Sequence, residues 1–166
     1  MSSADPSPLA LTNLFGLQGK VAVVTGGSRG IGYMIASGLV ANGVRTYITA
    51  RKAEACDQAA AELTEAAADG AVCVSIPADM STAEGVASFV EALAAHEQQV
   101  DILVNNAGAA WGAPMGEFPE IGFDKVLDIN VKAPFMLTQA LLPQLKTGAT
   151  EQDPARVIMI GSIDGI

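Results

Sequence analysis

From about residue 20 onward, short apolar runs alternate with stretches of helical periodicity. The first run, Val21-Ala22-Val23-Val24, is mostly β-branched and predicts a buried strand. It meets Thr25-Gly26-Gly27-Ser28-Arg29-Gly30-Ile31-Gly32, and Ile31, Ile35 and Leu39 then follow at i, i+4 and i+8, the stripe of a helix. Asn42-Gly43 supplies a left-handed stop. A second strand is expected over Arg45 to Thr49, then an Ala- and Glu-rich helix from about Ala53 to Ala68, ended by Asp69-Gly70. Val72 to Ile76 reads as the third strand, and Ser81 with Glu84 three residues on has the form of a capping box opening the next helix. The fourth strand, Ile102 to Val104, runs into Asn105-Asn106-Ala107-Gly108. A long helical pattern covers about Phe123 to Leu145, and a polar turn from Thr147 to Pro154 leads to a fifth strand, Val157 to Ile160.

Five strands alternating with four helices predict an α/β fold with a doubly wound parallel sheet, a Rossmann fold. Residues 1–19 read as a Pro- and Ser-bearing leader and 20–166 as one domain. The chain stops at Ile166, six residues past an apolar strand that would be a bare edge unless something paired with it, so the expectation is a sheet whose C-terminal part is missing. Pro134 adds a local expectation. It has no backbone N–H, so the carbonyl four residues earlier, on Asn130, loses its helical partner, and the long helix should break there.

Composition narrows the functional classes. Half of the residues are hydrophobic and 16% are charged, which excludes a disordered chain. Nine Lys and Arg against eighteen Asp and Glu give a net charge of −9, wrong for a nucleic-acid partner or an anionic membrane surface. No uncharged apolar stretch reaches the length of a membrane span, and the first basic residue, Lys20, comes too late for a secretory or transit signal. Cys56 and Cys73 stand seventeen apart without a partner motif, and His96 is the only histidine. A metal site and a Ser-His-Asp triad are therefore not expected, and the chain reads as cytoplasmic.

A glycine-rich turn between a buried strand and a helix lets backbone approach a pyrophosphate, and the helix N-terminus aims free N–H groups at it. The spacing here is Gly26-x-x-x-Gly30-x-Gly32. With Asn105-Asn106-Ala107-Gly108, with Asn130 in Asp128-Ile129-Asn130-Val131, and with Gly161-Ser162 after the fifth strand, the sequence resembles the short-chain dehydrogenase/reductase family from about Gly16 to its last residue. Within that family, Ala50-Arg51-Lys52-Ala53-Glu54-Ala55-Cys56 and Trp111-Gly112 look most like the β-ketoacyl reductases of the rhamnolipid type.

An NAD enzyme places a carboxylate at the end of the second strand for the ribose hydroxyl, and that place falls to Ala50. Arg51 and Lys52 follow it, and Arg29 lies in the glycine loop. Guanidinium groups suit a 2′-phosphate, so the cofactor expected is NADP(H), although Arg51 and Lys52 are also readable as solvated charges. The resemblance implies a cofactor site at Gly26, Ser28, Arg29, Gly30, Ile31, Gly32, Arg51, Lys52, Asp79, Asn106, Ala107 and Gly108. Asp79 would take the adenine amino group, or else simply supply polarity near a helix start. Asn105 would tie the sheet, with the Ala-Gly pair against the cofactor. Trp111 and Met115 are readable as pocket wall or, for Trp111, as packing.

Hydride transfer to a carbonyl leaves an oxyanion that must be stabilised and protonated. The resemblance implies that Ser162 bonds the substrate oxygen and that the Asn130 carbonyl holds a water linked to a catalytic Lys. The family's Tyr-x-x-x-Lys has no counterpart in these residues; Tyr33 and Tyr47 lack a Lys four positions on. The expected function is NADP(H)-dependent oxidoreduction of a ketone, secondary alcohol or 3-oxoacyl thioester by a homo-oligomer when intact, with the present chain an inactive fragment. The alternative is a non-catalytic NADP(H)-binding module acting through a partner. A SAM-dependent methyltransferase fits less well, since it too would want an acid where Ala50-Arg51 stands.

Overall fold

The structure is a computed structural model that describes residues 15–67 and 70–162. Five parallel strands form one sheet: β1 (Val21–Thr25), β2 (Arg45–Thr49), β3 (Cys73–Ser75), β4 (Ile102–Asn105) and β5 (Arg156–Met159), in the order β3-β2-β1-β4-β5. The crossovers carry α1 (Gly30–Ala41), α2 (Ala53–Glu65) and α3 (Ala83–Ala94). Between β4 and β5 come α4 (Glu120–Leu127), a π-helical turn (Asp128–Lys132), α5 (Ala133–Ala140) and α6 (Leu142–Lys146).

Side chains alternate across a strand, so β1, β2, β3 and β4 each feed two cores. Ala22, Val24, Ile48, Ile102 and Val104 pack under α1 and α2. Val23, Tyr47 and Leu103 point the other way and pack under α3, α5 and α6 through Phe89, Leu93, Leu137 and Leu141. Runs that are apolar at every position are what this double cover requires. The sheet is doubly wound, as expected.

Four local expectations are corrected. Ile31 is 61% exposed, and α1 instead buries Gly32, Ala36, Leu39 and Val40. The first turn of α1 must press Gly32 against the preceding loop, which rotates Ile31 outward. The cap of α3 is Thr82, whose Oγ1 accepts from Gly85 N at 3.0 Å, because Asp79 already engages Ser81. α2 ends at Glu65 and β3 spans only Cys73–Ser75, held to α2 by Thr64 Oγ1, which accepts from Cys73 N and donates to Cys73 O. The long helix is interrupted twice: by the π turn, where Pro134 predicts it, and again at Leu141, just before Pro143. The leader's first fourteen residues and the Asp69 stop lie outside the described residues, but Gly70 beside it has the φ of +72° that a turn requires, as Gly43 does at +77°.

β5 is an edge. Val157, Ile158, Met159 and Ile160 are between 37% and 56% exposed. No described helix is long and apolar enough to cross a membrane.

Candidate active site

Strand order reverses between β1 and β4, and in open α/β sheets the ligand crevice lies at the carboxyl ends of the strands flanking that point. Both sequence-predicted loops end up there. Gly26 N and Gly27 N donate to Thr49 O at 2.8 and 3.2 Å, which anchors the glycine loop to β2. Thr25 Oγ1 accepts from Asn106 N and Ala107 N, each at 2.9 Å, and Asn106 Nδ2 donates back to Thr25 O at 2.8 Å. The two loops are one hydrogen-bonded unit.

Asn106 thus makes the tie to the glycine loop. Asn105 ties β4 elsewhere: its O accepts from Ile160 N at 2.9 Å, and its Nδ2 reaches Thr138 Oγ1 on α5 at 3.5 Å. Sequence reasoning missed Thr25, although a threonine directly before the first loop glycine is the available signal.

The glycines have distinct tasks. A side chain at Gly32 would strike Gly26 O and Asn106 Nδ2, so only glycine lets α1 start this close to the loop. Gly30 has a φ of +56° and faces open space, with nothing within 4 Å of where a Cβ would project. The N-cap residue of α1, Arg29, makes no side-chain cap bond, and the first turn holds no acidic residue. A helix start without a side-chain cap, beside a glycine with open space at its Cβ position, makes this end of α1 fit to receive a phosphate.

Arg29, Arg51 and Lys52 are exposed, and none takes part in the four ion pairs among the described residues. Asp79 Oδ1 accepts from Ser81 N at 3.0 Å and Ser81 Oγ at 2.7 Å, so the helix-start role is real, while its other oxygen accepts nothing from the described residues. Partial burial pushes this carboxyl's pKa up, but the two Ser81 bonds and the Arg51 charge outweigh it and hold the group below the usual carboxylate range.

Ser162 is exposed, just past β5, whose ladder continues through the Ile160–Asn105 bond. Asn130 sits in the π turn. Its Nδ2 donates to Ala109 O at 2.7 Å and its Oδ1 accepts from Ala109 N at 3.1 Å. Gly108 is required for this approach, since a Cβ there would lie 2.9 Å from Asn130 Oδ1. Asn130, Val131, Pro134, Phe135 and Met159 line a hollow of about 480 Å³. Trp111 is packing: its ring lies on Gly122, with Lys125 Nζ 5.3 Å from the ring centre, whereas Met115 is almost fully exposed. Tyr33 and Tyr47 are spent on Glu62 and Glu97. The described residues contain no cluster of three or more His, Cys, Asp or Glu able to hold a metal.

The frame of the site is a strand, a glycine loop locked to the end of β4, and a serine beyond β5, and the family model for short chain dehydrogenases matches residues 20–166. The chain belongs to the short-chain dehydrogenase family. It is 49% identical over 152 residues to the rhamnolipids biosynthesis 3-oxoacyl-[acyl-carrier-protein] reductase of Pseudomonas aeruginosa, covering 92% of this chain and 58% of that protein. The solved Pseudomonas aeruginosa RhlG/NADP active-site complex superposes with a TM-score of 0.86 at 47% identity, over 92% of this chain and 58% of that one. L-sorbose reductase from Gluconobacter frateurii, solved with NADPH and L-sorbose, gives a TM-score of 0.83 at 32% identity over 91% and 55%. The chain spans a little over half the length of these relatives.

Proposed function

We propose that residues 20–166 form the NADP(H)-holding part of a carbonyl reductase acting on a ketone or a 3-oxoacyl thioester. The observation that carries this reading is the charge pattern at the crevice. Arg29 is the N-cap residue of the uncapped α1, and Arg51 and Lys52 follow the end of β2. None of the three is in an ion pair among the described residues, and Ala50 occupies the place of the acid that would select NAD. The relatives solved with NADP and NADPH support it.

When bound, the nicotinamide supplies a hydride to the carbonyl carbon. The chain's own residues do the rest. Gly26, Ser28, Gly30, Ile31 and Gly32 shape the pyrophosphate cradle, and the cations bind the 2′-phosphate through charge-assisted bonds. Asp79 offers its unengaged oxygen to the adenine amino group. Asn106, Ala107 and Gly108 present backbone to the nicotinamide ribose. Ser162 holds the substrate oxygen as negative charge develops on it, and Asn130 serves the same catalytic end of the crevice. No Tyr-x-x-x-Lys occurs in the 166 residues, so this stretch by itself binds cofactor without turnover. Exposed apolar residues on α4 and α5, among them Phe123 and Phe135, support homo-oligomer formation, and the buried free thiols of Cys56 and Cys73 suit a reducing, cytoplasmic setting.

Calorimetric titration tests the reading: NADPH should bind more tightly than NADH. Arg51→Asp should weaken NADPH by about ten- to a hundred-fold, since a hydrogen bond to a charged group is worth roughly 1.5–3 kcal/mol, and should spare NADH. Unchanged NADPH affinity removes Arg51 from the site. Reduction of a ketone by the 166 residues alone would overturn the binding-only reading.

A further inference from the structure

Along the helices between β4 and β5, half-buried Ile129 and buried Ala133, Leu137, Leu141 and Leu145 recur every four positions and all pack into the second core. Four turns of an ordinary α-helix take about 14.4 residues. Here they take sixteen, so the segment must absorb between one and two surplus residues to keep one face on the sheet. One is taken up in the π turn before Pro134; at Leu141, before Pro143, the helix breaks again but keeps four-residue bonds, Leu141 N to Leu137 O and Leu145 N to Leu141 O. Each proline occupies the first turn of the helix that restarts, where its missing N–H is tolerated.

The first break alone carries a polar side chain to a loop. In an uninterrupted helix, Asn130 would share the buried face with Ala133, Pro134 and Leu137, three, four and seven residues on. One inserted residue rotates the faces by about 100°. In the π turn Ala133 N bonds Asp128 O, five residues back, and Asn130 is exposed with its carboxamide engaged by Ala109. Beneath the widened turn, between Asn105, Ala107, Ile129 and Pro134, lies a cavity of about 10 Å³.

We propose that Pro134 is a positioning residue: by withholding its N–H it fixes the wide turn at Asp128–Lys132, and this turn aims the Asn130 carboxamide at the Ala109 backbone, clamping the Ala107-Gly108 segment. The second brace, Thr138 Oγ1 donating to Pro134 O at 2.7 Å while reached by Asn105 Nδ2, holds the restart of α5 against the end of β4. The clamp stands on geometry; its consequence for cofactor affinity rests on the function proposed above.

The test is amide hydrogen exchange at Ala109 in the full chain, read by NMR, with NADPH titration alongside. Pro134→Ala, which restores the N–H, should lower Ala109 protection about tenfold, and Asn130→Ala should do the same. Because Pro134 acts through Asn130, the double variant should lose no more protection than Asn130→Ala alone. Asn130→Asp, which keeps the acceptor for Ala109 N–H, should retain most of it. Pro134→Ser is the second N–H-restoring variant, to be used if Pro134→Ala melts too low to measure. Unchanged protection in both proline variants, or full additivity with Asn130→Ala, overturns the positioning role. If the clamp behaves as stated and NADPH binds severalfold more weakly to Pro134→Ala, positioning and cofactor reading both stand. If the clamp behaves so while the unaltered chain binds no NADPH, the positioning stands and the cofactor reading falls.

Discussion

Leu103 on β4 and Val157 on β5 are register partners in one parallel ladder, yet Leu103 is fully buried and Val157 is 40% exposed. The same contrast runs through the molecule. On the β3-β2-β1-β4 side, helices cover both faces of the sheet, and the glycine loop and the Asn106 loop are bonded into that finished frame. On the β5 side, Ile158, Met159 and Ile160 share Val157's exposure, and Val131 and Phe135 across the adjoining hollow are exposed as well. The residues proposed to hold the cofactor stand mostly on the first side. Ser162 and Asn130, proposed for the reacting end, stand on the second. Under the proposed function, cofactor binding would draw on stability already present, while the chemistry would depend on a region whose apolar surface is still open among the described residues.

The sharpest way to break this comparison is to truncate both members of the pair. Leu103→Ala should destabilise by about 2–5 kcal/mol, the range for a buried leucine whose cavity cannot collapse. Val157→Ala should cost about 0.5 kcal/mol or less, as for an exposed substitution. Urea denaturation of the two variants reads the difference directly. Similar losses would mean that β5 is as well buried as β4.

A second, smaller effect separates the two sides by pH. Burial, with Asp57 nearby, pushes the Cys56 thiol up to about 11, and burial likewise pushes Cys73 up to about 12. Burial and the Glu97 carboxylate push Tyr47 up to about 12. Thiols of the unfolded chain ionise near 9.0 and its tyrosines near 10.0, so folding favours the neutral forms. Their contribution is complete below pH 9 and is lost as pH rises towards 12. Stability should fall over that window, and Cys73→Ala should flatten the slope. On the β5 side the sign reverses: bonds from Lys20 and Arg156 hold the Asp153 carboxyl below the usual range, so its contribution is lost only as acid protonates it. Asp153 is largely exposed, and the acid effect should be slight. A flat alkaline profile would argue against the tight cover around Cys56, Cys73 and Tyr47.

The covered side was the more legible in sequence, for a physical reason. Continuous β-branched runs, a glycine loop and Asn42-Gly43 are local signals, and local signals decide strands, turns and caps. Pro134 was legible too, because a missing N–H acts on a carbonyl only four residues away. What the pattern could not show was which side chain meets which across the fold. The Asn130–Ala109 clamp joins residues twenty-one apart, and the Thr25–Asn106 tie joins residues eighty-one apart. Neither leaves a periodicity. Ile31 misled because its i, i+4 spacing is helical, yet the close approach of Gly32 to the loop sets which face turns inward. Pro143 carried the same physics as Pro134, and the four-residue recurrence from Ile129 to Leu145 was there to announce a second break.

The smallest expected change in stability is also the test of whether the open side is open in solution. Ile158 pairs with Val104 in the β4–β5 ladder and is 43% exposed, on a strand whose outer N–H and C=O groups have no neighbour among the described residues. Edge strands that avoid pairing with other copies carry a charge, a bulge or a proline, and the run Val157-Ile158-Met159-Ile160 has none of these. The unaltered chain should therefore self-associate. Ile158→Lys leaves the ladder backbone intact and keeps the lysine stem over the same apolar surface, so denaturation should move by no more than about 0.5 kcal/mol. Light scattering should nevertheless show a marked shift towards monomer, because a charge on the edge opposes the approach of a second strand. A monodisperse monomer before any substitution would show that β5 is protected, and the contrast between the two sides would then end at the side chains rather than extend to the backbone edge.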